Sequence, residues 1–410
     1  MRIAFISYEY PKETGGGGIG TYLELMSKLL IQHGHSIVVF SGTINKEAFW
    51  ETNHVFRVPA IDWNEFDSNV ADFFLVLHEK KPFDVVECTD YKGCGLTIKK
   101  ILPAIPIVVR LHTPLYMVDR LLFQPLQLLH KFRFILGAIK RFQYPTLPKP
   151  PKKEDYKEEF ELIRLAERIC SPSYSIFQEM KKLQFQVDNK TDLVPLPFVI
   201  SNELKNIEAR KTIRQDPQIV FIGRLEKRKG VIELAKAIPS VLKQFPNSHF
   251  TFVGSASLSP INGVDMIAYL KHKLKNYLHA LTFTGKIDKE KVSQYLTLGD
   301  IFVFPSHYES FGLACCEAMA AGKAVVGSFN GGMAEIIEQK KSGLLVSPKQ
   351  SKVLSDEIIN LIENDQLRLE IGNNARKRIE MFLNKETIVK DQVDCYKKAI
   401  SAGLTKCVIA

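Results

Sequence analysis

Short apolar runs rich in β-branched and aromatic residues recur along the chain, alternating with longer stretches whose apolar positions repeat at helical spacing. In the first half the short runs fall at residues 3–7, 37–41, 85–88 and 107–111, with a helical pattern over 22–30 between the first two. That alternation predicts βαβ units, and therefore parallel strands with helices on both faces of a sheet. The same grammar restarts at 218–223 and continues at 249–254, 281–285, 301–305 and 324–327, which predicts a second sheet of the same kind. Between the two lie Val194-Pro195-Leu196-Pro197 and a polar stretch over 201–216, a composition shift that suits a linker. The expected division is a first domain over 1–200 and a second over 201–386. The last helical stretch, 387–410, is long enough to pack back on the first domain, although nothing in its pattern demands it.

Length and composition agree with two α/β domains. A chain of 410 residues suits two domains of ordinary size, and 45% hydrophobic with 24% charged residues describes a globular protein that buries a core. No run approaches the roughly 20 continuous apolar residues that a membrane-spanning helix needs. Residues 1–7 lead into Pro11 and a glycine cluster rather than a cleavage site, so they read as a buried first strand and not as a leader. The seven cysteines include no Cys-x-x-Cys pair, and no histidines cluster at ligand spacing, which points to reduced thiols in a cytoplasm and to no metal site. A formal net charge of +10 favours acidic partners. Charge alone leaves nucleic acid, an anionic membrane face and a phosphorylated substrate all open.

The first strand runs through Glu9-Tyr10-Pro11 into Gly15-Gly16-Gly17-Gly18-Ile19-Gly20, after which a helix begins. Glycines at such a turn let backbone N–H groups of Gly17 and Gly18 approach a phosphate, and the helix N-terminus adds a favourable dipole. Gly15, Gly17 and Gly20 formally match the dinucleotide fingerprint, but that motif needs a carboxylate at the end of the next strand, where Phe40-Ser41-Gly42-Thr43 stands. In the second half, Gly223-Arg224-Leu225 ends a strand and Lys229-Gly230 precedes a helix. A guanidinium and an ammonium beside a helix start make a diphosphate receptor, while Glu226-Lys227-Arg228-Lys229 equally reads as a solvated charge run. Further on, Pro305-Ser306-His307-Tyr308-Glu309-Ser310-Phe311-Gly312-Leu313 places Glu309 on a polar turn, and the helix over 312–321 carries Glu317 among small and apolar neighbours. A carboxylate so placed is costly without a partner, and a pair of sugar hydroxyls would satisfy it. The N–H groups of Phe311, Gly312 and Leu313 are free to hold a phosphate between the two glutamates.

These residues together resemble the retaining glycosyltransferases of family 4: Glu309 and Glu317 with Ser310-Phe311-Gly312 inside the pair, Gly223-Arg224-Leu225 with Lys229-Gly230, the glycine-rich first loop, and Gly34-His35 before the second strand. The resemblance covers nearly the whole chain. It implies a GT-B fold, two doubly wound parallel-sheet (Rossmann-like) domains facing a central cleft, with the acceptor on the first and the nucleotide sugar on the second. It further implies that Arg224 and Lys229 neutralise the departing diphosphate, that Glu309 holds hydroxyls of the sugar, and that Glu317 holds the ribose. Gly285-Lys286-Ile287 matches the family segment whose backbone contacts the base, with an ordinary strand end as the alternative. His112, at the end of the strand over 107–111, stands where the family has a histidine near the reacting carbon; lone histidines at such places are otherwise structural hydrogen bonders. Glu335, in Gly331-Gly332-Met333-Ala334-Glu335, is assigned to helix capping or packing.

The expected activity is transfer of a hexose-type sugar from a UDP- or GDP-sugar, with retention and without cofactor or metal, to a glycan, lipid-linked or small-molecule acceptor of surface polysaccharide synthesis. A nucleotide-sugar epimerase on the same fold and a non-catalytic module on anionic membranes are the competing readings; nucleic-acid binding has no recognition motif behind it. From Arg120 to Lys153 there is no Asp or Glu, and the cations alternate with Leu, Phe and Ile. Such a segment suits either peripheral contact with the inner face of the cytoplasmic membrane or a helix packed on the first domain. Cys407-Val408-Ile409-Ala410 formally satisfies a prenylation box, a match that arises easily by chance.

Overall fold

The computed structural model describes residues 1–15, 17–123, 135–137, 149–261 and 263–409, with side chains through 404. The middle of the basic segment over 120–153, and the side chain of Cys407, therefore lie outside the described residues, as does Gly16. The first sheet has eight strands: β1 (Arg2–Ile6), β2 (Ser36–Thr43), β3 (Phe49–Trp50), β4 (Val55–Pro59), β5 (Val85–Thr89), β6 (Ile107–Arg110), β7 (Arg168–Ser171) and β8 (Thr191–Leu193), in the order β3-β4-β2-β1-β5-β6-β7-β8. The second has six: β9 (Gln218–Ile222), β10 (His249–Val253), β11 (Leu281–Gly285), β12 (Ile301–Val303), β13 (Ala324–Ser328) and β14 (Leu344–Val346), in the order β11-β10-β9-β12-β13-β14.

Central strands such as β1 and β5 are covered on both faces, so they are buried nearly throughout; β1 is apolar after Arg2, whereas β5 carries the buried polar residues Glu87 and Thr89. The one departure from the parallel expectation is β3, which pairs antiparallel with β4 at the sheet edge. Only residues 51–54 join those two strands, too few for a crossover, so the chain must turn straight back. The loops that leave β1 and β9 meet, as do those that leave β7 and β12: Glu9 lies within the electrostatic reach of Arg224, and the Ser173 hydroxyl donates to the Ser310 carbonyl at 2.7 Å. The carboxyl ends of both sheets thus face one cleft, where open α/β sheets bind ligands.

After β14 the chain forms helices Ser351–Glu363 and Asp365–Phe382, then returns across to the first sheet as helix Lys385–Ile409, which packs on β5, β6 and β7. What receives it is polar. Arg110, with no solvent exposure, donates to the Val194 carbonyl at 2.7 Å, to the Tyr22 hydroxyl at 3.1 Å and to the Gln392 side-chain oxygen. Its counter-charge is Glu87, which accepts from Tyr22 at 2.6 Å, from Gln392 at 2.8 Å and from Tyr396 at 2.6 Å. Gln392 and Tyr396 belong to the returning helix. A buried pair so fully hydrogen-bonded is expensive to break on one side only. Glu87→Leu is expected to cost about 3–5 kcal/mol in denaturant unfolding and to speed amide exchange in helix Lys385–Ile409. Unchanged stability and exchange would show that the helix docks by its apolar face alone.

Candidate active site

On the first-domain side, the turn after β1 is shaped by close approach. A Cβ on Gly15 would fall 2.7 Å from the Tyr10 backbone nitrogen. Gly17 caps helix Gly18–Gln32 without a side-chain hydrogen bond, so the first-turn N–H groups there have no capping acceptor, and a Cβ on Gly18 would meet open space. The Glu9 carboxylate lies beside this turn, 3.6 Å from where a Gly17 Cβ would stand. His112, just past β6, is buried with its ring 5.3 Å from Tyr22, and its backbone N–H donates to Asp90 Oδ2 at 3.0 Å. Burial, reinforced by Arg110, pushes its pKa down to about 3, so its ring is neutral at physiological pH and carries no proton to donate as an imidazolium. Among the described residues, His112 Nε2, Asp90 Oδ1 and Thr89 Oγ1, at the ends of β5 and β6, have no hydrogen-bond partner. Buried polar atoms left open in this way mark a place for a ligand or an ordered water.

The second domain presents its cations on the turn after β9. Arg224 is 62% exposed in its side chain and reaches into the cleft, where Glu9 and Tyr91 feel its charge. Gly230 must be glycine: its φ is +73°, and a Cβ would stand 1.9 Å from the Pro305 carbonyl oxygen. That contact presses the turn Lys227–Lys229 onto the segment carrying Glu309, and Lys229 Nζ closes an ion pair with Glu309 Oε2. The solvated reading of this charge run fails for Glu226 and Arg228. Both are largely buried and paired to each other at 2.6 Å, and Arg228 also donates to the Tyr308 carbonyl at 3.2 Å. Beneath them, His307 Nε2 meets Glu233 Oε2 at 2.9 Å.

The two glutamates of the motif meet opposite electrostatic fates. Burial would raise the Glu309 pKa, but Lys229 and Arg228 outweigh it and hold the group below the usual carboxylate value. Burial also pulls Lys229 below its ordinary value, against the opposing pull of Glu309. Glu317, on helix Leu313–Ala320, has no hydrogen-bonding partner among the described residues; burial pushes its pKa up to about 7, and only Lys289 opposes. Gly312, at φ +104°, starts that helix without a side-chain cap, so the N–H groups around Leu313 point outward unclaimed. Phe311 is buried, and the Ser310 carbonyl is taken by Ser173. At the end of β11, Gly285 has φ +68° and accepts from Gly254 N–H at 3.1 Å, Lys286 is exposed, and Ile287 packs against the core. Lys289, the cation nearest Glu317, follows two residues later. The structure thus joins Lys229 to Glu309, brings Arg224 within electrostatic reach of Glu9 and Tyr91, sets Gly17 beside Glu9, and lets Lys289, which follows Gly285–Ile287, act on Glu317; His112 stands at the end of β6 against Tyr22.

Residues 203–378 match the model of the glycosyl transferases group 1, and residues 16–198 match that of glycosyltransferase family 4. The chain belongs to this family. It is 27% identical over 98% of its length to an uncharacterised glycosyltransferase of Methanocaldococcus jannaschii, covering 99% of that protein. Among solved structures it resembles the sucrose-phosphate synthase of Thermosynechococcus elongatus (TM-score 0.74, 20% identity, 98% of this chain and 99% of that one). It also resembles HepE of Anabaena in complex with UDP and glucose (TM-score 0.68, 19% identity, 96% and 98%). The fold is GT-B, and the protein is a glycosyltransferase.

Several residues of this glycosyltransferase's cleft escaped the sequence reading. Glu9 carries no recognisable motif of its own. Tyr8, on the turn after β1, Trp63, the first residue of helix Trp63–Lys80, and Tyr91, in the short helical turn after β5, lie far apart in the chain yet form a run of tilted rings, with centroids 5.3 and 4.9 Å apart. Arg228 and Glu226 were legible only as charge.

Glu317 generates a pH test. Burial favours its protonated form, so it contributes stability below the ordinary carboxylate value of 4.5, and that contribution is lost as pH rises toward 7. Accepting hydroxyls from a bound nucleoside favours the ionised form instead. Nucleotide affinity is therefore expected to gain roughly tenfold from this group between pH 6 and pH 8, by titration calorimetry. Glu317→Gln should lack that part of the pH dependence and melt higher than the wild type at pH 8 without ligand. Identical pH profiles would remove Glu317 from the nucleotide site.

Proposed function

We propose that this glycosyltransferase transfers a hexose from a UDP- or GDP-sugar to a glycan or lipid-linked acceptor with retention of configuration. The observation that carries the reading is the set of groups in the cleft that are open to a ligand: the largely exposed Arg224 guanidinium, held only loosely by Glu226 at 3.9 Å, the uncapped helix start at Gly312–Leu313 and the Glu317 carboxylate, which has no side-chain hydrogen bond among the described residues. A nucleoside diphosphate offers each of them a partner. Its phosphates take the cation and the helix N–H groups, and its ribose hydroxyls take Glu317. The solved complex of HepE with UDP and glucose supports a donor of this class.

In this reading the bond between the anomeric carbon and the phosphate oxygen breaks while the acceptor oxygen bonds to the same carbon on the same face. The acceptor proton passes to the departing phosphate. Negative charge grows on the bridging oxygen, and Arg224, Lys229 and the helix N–H groups, already in place, stabilise it more in the transition state than in the ground state. The scheme calls for no metal. Lys229 would move part of its attraction from Glu309 to the phosphate, freeing Glu309 for sugar hydroxyls. The neutral His112 ring would serve as a hydrogen-bonding wall near the reacting carbon. The acceptor would lie against the first domain, where the run of Tyr8, Trp63 and Tyr91 rings offers aromatic faces beside Glu9. No helix of the described residues is long and apolar enough to cross a membrane, so a lipid-linked acceptor would be met at the membrane surface, through the basic segment over 120–153.

Thermal-shift titration with UDP, GDP, ADP, CMP and NAD, with and without chelator, tests the donor class. Stabilisation by UDP or GDP, unaffected by chelator, is the expected result, and stabilisation by NAD alone would overturn it. Arg224→Ala is expected to lower turnover about 100- to 1000-fold, the usual effect of removing one preorganised charge-stabilising group. Unchanged turnover in a folded variant would take Arg224 out of the mechanism.

A further inference from the structure

The turn that carries Glu309 is held from both sides by contacts that cross between the domains. Glu335, on the short helix Met333–Ile336 of the second domain, accepts from the backbone N–H of Tyr174 at 2.8 Å and of Ser175 at 2.7 Å, one on each carboxylate oxygen. Those amides begin helix Tyr174–Lys182 of the first domain, so a carboxylate from one domain caps a helix of the other. Ser173, the N-cap of the same helix, donates through its hydroxyl to the Ser310 carbonyl at 2.7 Å. Tyr308 is buried within the core of the first domain, although it belongs to the second by sequence.

The second half of the connection is backbone on backbone. Gly332 N–H donates to the Glu309 carbonyl at 2.7 Å. A Cβ on Gly331 would stand 2.1 Å from that carbonyl oxygen, and a Cβ on Gly332 would stand 2.3 Å from the Ser310 carbonyl oxygen. The segment 331–335 therefore lies flush against 309–311 and cannot move without it. Arg378 fixes its far end by donating to the carbonyls of Glu335 and Ile336 at 3.0 Å each. A shift of helix Tyr174–Lys182 relative to the second domain would be felt at Glu309 through Glu335 and Gly332, and at Ser310 through Ser173.

We propose that Glu335 is a positioning residue that couples the arrangement of the two domains to the placement of Glu309 and of the phosphate-binding turn 311–313. This rests on the roles given above to those groups. In this arrangement the latch is made and the Glu309 carboxylate is held against Lys229. When the domains part, the Tyr174 and Ser175 amides leave Glu335, the hydroxyl of Ser173 leaves Ser310, and the turn loses its outer support. The site is thus assembled only when the first domain, which brings the acceptor, is in place.

The test uses the intact chain with Glu335→Ala, Glu335→Gln and Ser173→Gly; glycine is tolerated at an N-cap, so the last variant removes the hydroxyl that reaches Ser310, with its Cβ and its cap to Ile176 N–H, at small cost to the helix. Hydrogen exchange of segments 173–176 and 309–313 is followed alongside small-angle scattering and UDP or GDP affinity. In Glu335→Ala both segments are expected to exchange faster together and the radius of gyration to rise. Turnover should fall by about tenfold or more, since small misplacements at a reacting centre are costly, while nucleotide affinity, which also draws on Arg224 and Glu317, falls clearly less than turnover. Glu335→Gln, which keeps one acceptor oxygen, should fall between the alanine variant and the wild type. Faster exchange at 173–176 with 309–313 unchanged would show that Glu335 merely caps a helix and would overturn the proposal. So would a loss of nucleotide affinity in step with turnover. Should the wild-type protein transfer no sugar, the transferase reading fails, while exchange and scattering still decide whether the latch exists.

Discussion

Arg110 lies in the core without solvent exposure, and the two-domain arrangement follows from how that charge is answered. An isolated guanidinium there would be prohibitively costly, so Glu87 is placed on the neighbouring strand, and Tyr22, Gln392 and Tyr396 share out the remaining donors and acceptors. Two of those groups arrive only when the C-terminal helix crosses back from the second domain. The helix therefore does more than cover apolar surface. It completes a polar cluster that cannot be left incomplete, and so fixes the path by which the chain links its two sheets.

Within the cleft the governing quantity is which charges are already paired. Lys229 and Glu309 neutralise each other, and Glu226 and Arg228 do the same one layer deeper, so the turn after β9 is rigid before any ligand arrives. Arg224, 62% exposed, has only a loose contact with Glu226 at 3.9 Å, and Glu317 has no side-chain hydrogen bond among the described residues. Rigidity in the paired groups and vacancy in the unpaired ones are complementary. The first keeps the donors in position so that little reorganisation accompanies the reaction, and the second leaves free energy to be gained on binding. Glu335 extends the same logic between domains, because a carboxylate on a helix N-terminus is favourable only while the two domains hold their relative position.

Local elements and the available chemical groups follow from the order of residues alone. Buried parallel strands favour apolar runs, which is why β1, β9, β12 and the start of β5 were legible, whereas the need for glycine at 230 and 312 follows from left-handed backbone and close contacts that folding creates. The short edge pieces β3, β8 and β14 were not legible, because they are two or three residues long and, unlike β12, whose apolar run continues to Phe304, stand in no apolar run of that length. Arg57 in β4 and Arg168 in β7 also broke the apolar pattern, since their partners Glu51 and Asp192 are apparent only in three dimensions. The motif around Glu309 and Glu317 named the family, yet only the tertiary structure decided that one carboxylate is paired and the other open. It also decided that Glu226 and Arg228 of a charge run are largely buried, that Tyr8, Trp63 and Tyr91 from three distant segments meet ring to ring, and that Glu335 caps a helix in the other domain. The physical reason is the same in each case. Hydrophobic periodicity is a property of neighbours along the chain, whereas the energy of a buried charge depends on groups that folding alone brings within hydrogen-bonding distance.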